Sequence, residues 1–570
     1  MGWLRWRADC AGFIEDSLSR LLLYLNTLRY LKLAQIWGRL AFKLKQSRPD
    51  LRPAPVFRYT DGGWQCSASR QISMLGPSSF RFLNKEHILV SADDWNSLGL
   101  PKLWLYNLHY FDDLNAFGAA ERNDWHKALI ARWLTGNPPA EGNGWESYPL
   151  SLRIVNWFKW ALAGNILSED ALHSLAIQTR FLASHIERHL LGNHLFANAK
   201  ALVFAGCLFE GEEAGKWLRL GMNIIAYELP EQILDDGGHF ERSTMYHALA
   251  FEDMLDLINL TKAYSAVFAP WLDTITSWSL TVTGMGKWLA AMCHPDEEIS
   301  FFNDSAIGIA PSPAELFSYA ARLNLEVARS PEKELIWMKQ SGYVSVKDNG
   351  AVLIVDVAPV GPDYLPAHAH ADTLSFEFSL AGDRLFVNTG TSLYGIGRER
   401  EWQRSTAAHN TVEIDTEDSS EVWAGFRVAR RAYPFDIKVA ETDDAITITA
   451  SHNGYLRLPV KSIHRRKWLF SSHSLIVKDE IVGDEFRGAV ARFYLHPLVQ
   501  VVSNNIKDGR VVLQLPCGQK VDLEIEGGRL DLNVTTWHPS FGVSDSNLCL
   551  SVSFQSATVK TKIGWQEEGS

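Results

Sequence analysis

The spacing of apolar residues changes period near residue 340, and that change limits what the chain can fold into. Before it, apolar positions recur at helical spacing in Trp125–Leu134, Leu150–Ala163, Ser168–Leu190, Leu195–Phe209, Glu212–Leu229, Thr244–Ala266 and Leu272–Met292. Loops such as Thr135-Gly136-Asn137-Pro138-Pro139 and Asp235-Asp236-Gly237-Gly238 punctuate these segments. After it the period is two, as in Tyr343–Val346, Val352–Val355, Leu374–Phe378, Ala445–Thr449 and Leu548–Val552. Helices of similar length without an exact repeat predict an array or an (α/α) toroid. A long run of strands without helices predicts a large antiparallel β-sandwich. The expected division is a basic helical arm over 1–55, a toroid over 56–335 and a sandwich over 336–570, with the linker at Arg329–Glu334.

At 570 residues the chain is too long for one core. A net charge of −11 argues against a general polyanion binder and against nucleic acid as partner, while leaving room for a local basic cleft. Residues 1–55 run the other way, with ten Lys/Arg against four Asp/Glu. Leucines from Leu18 to Leu40 interleave there with Arg20, Arg29, Lys32 and Arg39. The segment predicts one or two basic amphipathic helices, which either pack on the next domain or lie on a membrane surface. Glu15 and Asp16 interrupt any signal-peptide core, which points to the cytoplasm. Of 21 tryptophans, 15 precede residue 336, and they serve either packing or stacking on sugar rings.

Four clusters carry chemistry. The most conspicuous is His368-Ala369-His370-Ala371-Asp372, answered by His409-Asn410-Thr411. Two histidines two apart on a strand share a face, and with a third they either hold a divalent metal or set an imidazole beside a substrate. Arg398, Arg400 and Arg404 lie between the halves. A second cluster is Trp145-Glu146-Ser147-Tyr148-Pro149 with Arg153 and Asn156, where Arg153 either grips an anionic group or serves a helix start. In the third, Asn193 and His194 occupy a loop entering an apolar helix that holds Asn198 and Lys200. In the last, Asp236-Gly237-Gly238 delivers His239, Glu241 and Arg242 to a helix capped by Ser243, with Tyr246 in its first turn.

These residue types suit one reaction well. A uronic acid carries an acidic C–H at C5, beside its carboxylate. Removing that proton requires a group that neutralises the carboxylate, a base for C5 and an acid for the glycosidic oxygen. Asn, His and Tyr supply all three without a cofactor. A glycosidase needs two carboxylates instead, and Glu146, Glu241 and Asp236 keep that alternative open. A non-catalytic glycan-binding factor is the third reading.

Over about residues 100–570 the chain resembles the heparinase II/III-like polysaccharide lyases. The resemblance is sharpest at Asn193-His194, Asp236–His247, His368–Phe376 and Ala408–Val412. It implies an (α/α) toroid followed by an antiparallel β-sandwich, and cleavage of an acidic, uronate-containing glycan by β-elimination. It implies that Asn193 neutralises the carboxylate and that Tyr246 is the acid, and in some members also the base. It gives His368 the role of base or its assistant, and places His409 near the reaction centre or on a metal. Arg153, Asn156, His194, Glu241, Arg242 and Arg404 complete the expected substrate-binding set. No cofactor is needed for the chemistry. A structural zinc would use His370, Asn388 and His409, but Asn388 stands where metal-binding members carry a carboxylate, and an amide is the poorer ligand. The first hundred residues resemble lyase-like proteins encoded with bacterial surface-polysaccharide genes, which implies an exopolysaccharide or O-antigen substrate. A polymer of that kind favours the periplasm.

Overall fold

The computed structural model describes residues 20–44, 48–327, 333–483 and 488–566. The expected linker lies mostly outside them. The first half is helical: α1 (Leu33–Leu44), α2 (Lys102–Tyr110), α3 (Asn123–Gly136), α4 (Ser147–Leu162), α5 (Glu169–Ser184), α6 (Gly192–Leu208), α7 (Gly211–Gln232), α8 (Thr244–Ala263), α9 (Leu272–Ala291) and α10 (Pro313–Arg322). Side-chain caps start three of them. Ser168 accepts from the Ala171 N–H, Ser243 from the Tyr246 N–H, and Ser312 from the Glu315 N–H with Pro313 at the first helical position. The helix expected over Ser168–Leu190 ends at Ser184, because the Ser184 hydroxyl bonds back to the Phe181 carbonyl and the chain leaves helical geometry at His185.

Helix α6 is apolar nearly all round and buried along almost its whole length, which makes it a central stave of the toroid. It packs antiparallel to α7 at backbone distance. A Cβ on Gly206 would meet Leu218 at 2.6 Å, and one on Gly221 would meet the Ala199 carbonyl at 2.7 Å. Most tryptophans serve this core. Trp95, Trp104, Trp133, Trp157, Trp278 and Trp288 are fully buried, which leaves them no face for a sugar.

From Glu334 onward the chain is antiparallel sheet. Five strands run in sequence order: β1 (Glu334–Met338), β2 (Tyr343–Asp348), β3 (Ala351–Asp356), β4 (Phe376–Leu380) and β5 (Asp383–Phe386). A bridge from Phe386 to Leu495 joins this sheet to a four-stranded one, and an eight-stranded sheet faces both across a shared core of residues such as Val355, Phe376, Phe493, Trp468 and Ile563. The sandwich is not free of helix. A short helix, α11 (Arg398–Arg404), crosses its edge, and Arg400 and Arg404 on it are buried.

An apolar plug docks the two domains. Trp288 and Met292 at the end of α9 and Phe302 in the following loop meet Met338, Tyr343 and Ile354 of the five-stranded sheet. Arg242, in left-handed backbone geometry at φ 59°, adds a polar tie by donating to the Ser341 carbonyl at 2.9 Å. The loop from α9 to α10 is thereby pinned against the sandwich.

Candidate active site

That loop carries Asp304, a fully buried carboxylate around which the histidine cluster is organised. His368 Nδ1 lies 3.0 Å from Oδ2, His370 Nε2 lies 2.8 Å from Oδ1, and Arg400 reaches both oxygens, with Nη2 2.6 Å from Oδ2. Burial alone would raise the Asp304 carboxyl. The Arg400 guanidinium and the two imidazole donors outweigh it and hold the group well below the usual carboxylate range.

His368 and His370 do not lie on a strand. They follow Pro366 in a turn, and strand β4 begins only at Phe376. They nevertheless approach Asp304 side by side. With Asp304 ionised, Nδ1 of His368 carries the proton and Nε2 is left with its lone pair, 3.8 Å from the carboxyl of Glu241. The His368 side chain is 12% exposed, whereas His370 and His409 are sealed at 1%. Only His368 of the three can therefore meet a substrate.

Tyr246 stands beside it on the first turn of α8, with ring centroids 3.9 Å apart and planes tilted by 30°. Its hydroxyl lies 3.1 Å from that of Tyr394. Burial, reinforced by Tyr394, pushes the Tyr246 phenol well above its ordinary value, so it is held as a proton donor. Asn193 sits in the first turn of α6 rather than in a loop, and with Tyr148, Gln232, His239, Tyr246 and Asp253 it lines one hollow. The positive end of the α6 dipole favours an anion there. His194 stacks on Tyr148 at 4.4 Å, with Nδ1 3.3 Å from Glu187, on the rim of the same region.

Glu241 is buried, and its Oε2 has no hydrogen-bond partner. Burial raises its carboxyl. A Cβ on Gly192 would come within 3.0 Å of Oε1, so only glycine lets the start of α6 approach this acid.

Three arginines expected to bind substrate do not reach the hollow. Arg153 is fully buried, bonded to Gln178 at 3.0 Å and the Gly144 carbonyl at 2.7 Å, with its guanidinium 3.9 Å over Trp133. Arg404 is spent on the Ala369 carbonyl, and Arg242 on the domain junction. Asn156 is likewise committed, to the Tyr110 carbonyl and Asp112. Backbone carbonyls left by loops, with the Gln178 and Asp112 side chains, claim these charges and this amide before any ligand can.

The trio expected for zinc does not converge. His370 Nδ1 and His409 Nε2 meet at 3.0 Å as a hydrogen-bonded pair. Asn388 turns away, with its oxygen accepting from the Asn410 N–H and its nitrogen on Ser375. Among the described residues no group of three or more His, Cys, Asp or Glu side chains is placed to hold a metal. The residues do not fit the ion. His409 also bonds the Ser405 carbonyl at 2.7 Å, so it braces His370 behind the centre and makes no direct contact with the hollow.

Two of the three carboxylates of the glycosidase alternative are also occupied. Asp236 accepts from the backbone of Gln340 and Ser341, and Glu146 bonds Tyr106 and lies 2.9 Å from Lys102. Sequence reasoning missed Asp304 and Tyr394. The one signal for Asp304 was a polar Asn303-Asp304-Ser305 inside an otherwise apolar stretch.

Several buried histidines are held neutral. Burial pushes His370 down to about 4, and His239 and His247 down to about 3, from 6.5. Their folded values lie below the unfolded one, so the stability they contribute is present above 6.5 and is lost as pH falls toward 4. Each costs about 1.4 kcal/mol per pH unit in that window. The melting temperature followed by circular dichroism should be flat above about pH 7 and fall with increasing steepness below about pH 6. A melting temperature unchanged to about pH 4.5 would mean that these side chains accept protons in the folded state.

A two-domain chain of helical toroid and antiparallel sandwich, with Asn, Tyr and His side chains at the junction, defines a class, and comparison with known proteins gives it a family. The chain belongs to the heparinase II/III family. The model of the heparinase II/III N-terminus matches residues 105–320, and that of the heparinase II/III-like C-terminal region matches residues 330–566. A heparin-sulfate lyase of Bacteroides stercoris is 25% identical over 386 residues, 61% of this chain and 53% of its own length. One from Pedobacter heparinus is 25% identical over 55% of this chain and 48% of its own length. The chain thus spans about half the length of these relatives. A third relative, the FtsZ-localized protein C of Caulobacter vibrioides, is 23% identical over 74% of each chain. Among solved structures, heparinase III superposes with a TM-score of 0.67 at 18% identity, covering 83% of this chain and 79% of that one. That likeness establishes the shared fold.

Proposed function

We propose that this chain is a polysaccharide lyase that cleaves an acidic, uronate-containing glycan by β-elimination. The observation that carries the reading is the meeting of Tyr246 and His368, 3.9 Å apart, at the edge of the hollow that Asn193 lines. In the proposed reaction the Asn193 amide donates to the uronate carboxylate and stabilises the charge that develops there. His368 Nε2 takes the C5 proton. Its lone pair is free for this because Asp304 fixes the proton on Nδ1. Tyr246 gives its phenolic proton to the glycosidic oxygen as the C4–O bond breaks and the C4–C5 double bond forms. The proton on His368 then restores the neighbouring tyrosinate, and the balance closes without a redox partner. The heparin-sulfate lyases among the relatives support an acidic glycan as substrate. The further assignment to bacterial surface polysaccharide rests on the resemblance of the first hundred residues.

The test is product chemistry. Incubation with a panel of uronate polysaccharides should raise absorbance near the ultraviolet edge, from the unsaturated uronyl product, in step with new reducing ends. Reducing ends without the chromophore would make the chain a hydrolase. Oligosaccharide binding with neither product would make it a binding factor.

A further inference from the structure

Over its described residues the N-terminal arm has two faces, and one of them packs on the rest of the chain. On α1 the inner stripe is Gln35, Gly38 and Phe42. Gln35 donates to the Tyr364 carbonyl at 3.1 Å, a Cβ on Gly38 would already touch His189, and the Phe42 ring lies 4.5 Å from that of His189. Lys32, just ahead of the helix, pairs with Glu231 of the toroid at 2.7 Å and lies 3.6 Å over the Tyr364 ring. Farther back, Tyr24 packs edge-on to Trp423 at 5.0 Å, and Tyr30 lies under the Arg431 guanidinium at 3.8 Å, both in the sandwich. The arm therefore crosses from one domain to the other, fastened along its underside.

At 100° per residue the opposite side of α1 carries Leu33, Ile36, Trp37, Leu40 and Leu44. All five are exposed, Leu33 at 73%, Trp37 at 69% and Leu44 at 82%. Upstream, Leu21, Leu25 and Leu28, spaced as one helical stripe, are exposed as well. Exposed apolar stripes of this kind are unusual on a protein that meets only water. The underside is already engaged on both domains, so the strip cannot turn inward without breaking those contacts. Its charge is one-sided too. Residues 20–44 contain five Lys/Arg and no Asp/Glu, in a chain whose net charge is −11.

We propose that this strip is a docking face for an anionic phospholipid surface. The leucines and Trp37 would sit at the headgroup boundary, and Arg20, Arg29 and Arg39 would face the phosphates. No helix among the described residues is long and apolar enough to span a bilayer, so the contact lies in the plane of the interface. The arm leans on Tyr364, in the loop that leads to His368, and on Glu231, next to Gln232 of the hollow. Docking therefore holds the cleft at the lipid surface, where a lyase would meet surface-attached glycan. That last clause rests on the lyase reading, but the docking itself does not.

Co-sedimentation of the full chain tests it. Phosphatidylcholine vesicles with phosphatidylglycerol should pellet at least about tenfold more protein than phosphatidylcholine alone, and raised salt should abolish the difference. Each of Arg20→Gln, Arg29→Gln and Arg39→Gln should weaken binding roughly fivefold. Trp37→Glu with Leu40→Glu should remain in the supernatant while melting at the parent temperature, since neither side chain is packed. The proposal is overturned if the parent ignores anionic vesicles, or if the double variant binds as well as the parent. It is also overturned if light scattering shows a dimer that the double variant dissociates and no vesicle binding occurs, because the strip would then cover a second copy.

Discussion

Tyr246→Phe should lower kcat on any uronate substrate by about 10²–10⁴-fold with little change in KM or melting temperature. The substitution removes one oxygen. The ring stays against His368 at 3.9 Å, the cap from Ser243 to the backbone N–H is untouched, and the Tyr394 hydroxyl loses one partner at 3.1 Å. What disappears is the proton for the leaving oxygen. The upward shift of this phenol keeps it protonated, which suits the proposed role of acid and leaves the proposed role of base to His368. The measurement is the initial slope of the ultraviolet absorbance. A slope within threefold of the parent would remove Tyr246 from the chemistry.

The second large effect is on stability. Asp304→Asn should destabilise the protein by about 3–5 kcal/mol, because it strips the counter-charge from Arg400, which is fully buried. It also leaves His368 and His370 facing an amide that can accept one hydrogen bond well where the carboxylate accepted several. Chemical denaturation would read the loss as a lower midpoint. Arg400→Met on the Asp304→Asn background should recover part of it, since the uncompensated cation is then gone. Single and double variants that melt with the parent would mean that the buried pair is energetically neutral. Residual activity separates the two roles of Asp304. The double variant should regain midpoint without regaining turnover, as His368 would still lack the acceptor that fixes its tautomer.

The residues that stand out in the sequence are those marked by the chain around them. Tyr246 was legible because Ser243 is a helix cap three positions earlier, and Asn193 because Gly192 opens an apolar helix. The change of period near residue 340 was legible because helices and strands bury their faces at different spacings. Sheet order was not. The last strand, Thr558–Trp565, inserts between Ser474–Val482 and Lys520–Glu526, a pairing that no local signal encodes. The arginines misled for a related reason. Arg242 and Arg404 satisfy carbonyls far away in sequence and Arg153 reaches the Gln178 side chain, and nothing near them says whether a guanidinium faces a loop or a ligand. Asp304 was missed because its importance lies in its partners, which come from 64 to 96 positions downstream.

That separation has a physical consequence. Asp304 belongs to the toroid, while His368, His370 and Arg400 belong to the sandwich, and the plug at Trp288, Phe302 and Tyr343 holds them in register. The centre is thus a product of docking and is not the property of either half. A toroid alone would present Asn193 and Tyr246 without His368 beside them, and a sandwich alone would leave Arg400 without Asp304. Any motion that opens the junction by an ångström or two parts Asp304 from His368, His370 and Arg400. Under the proposed lyase reaction, activity would be a direct gauge of how tightly the two domains are closed.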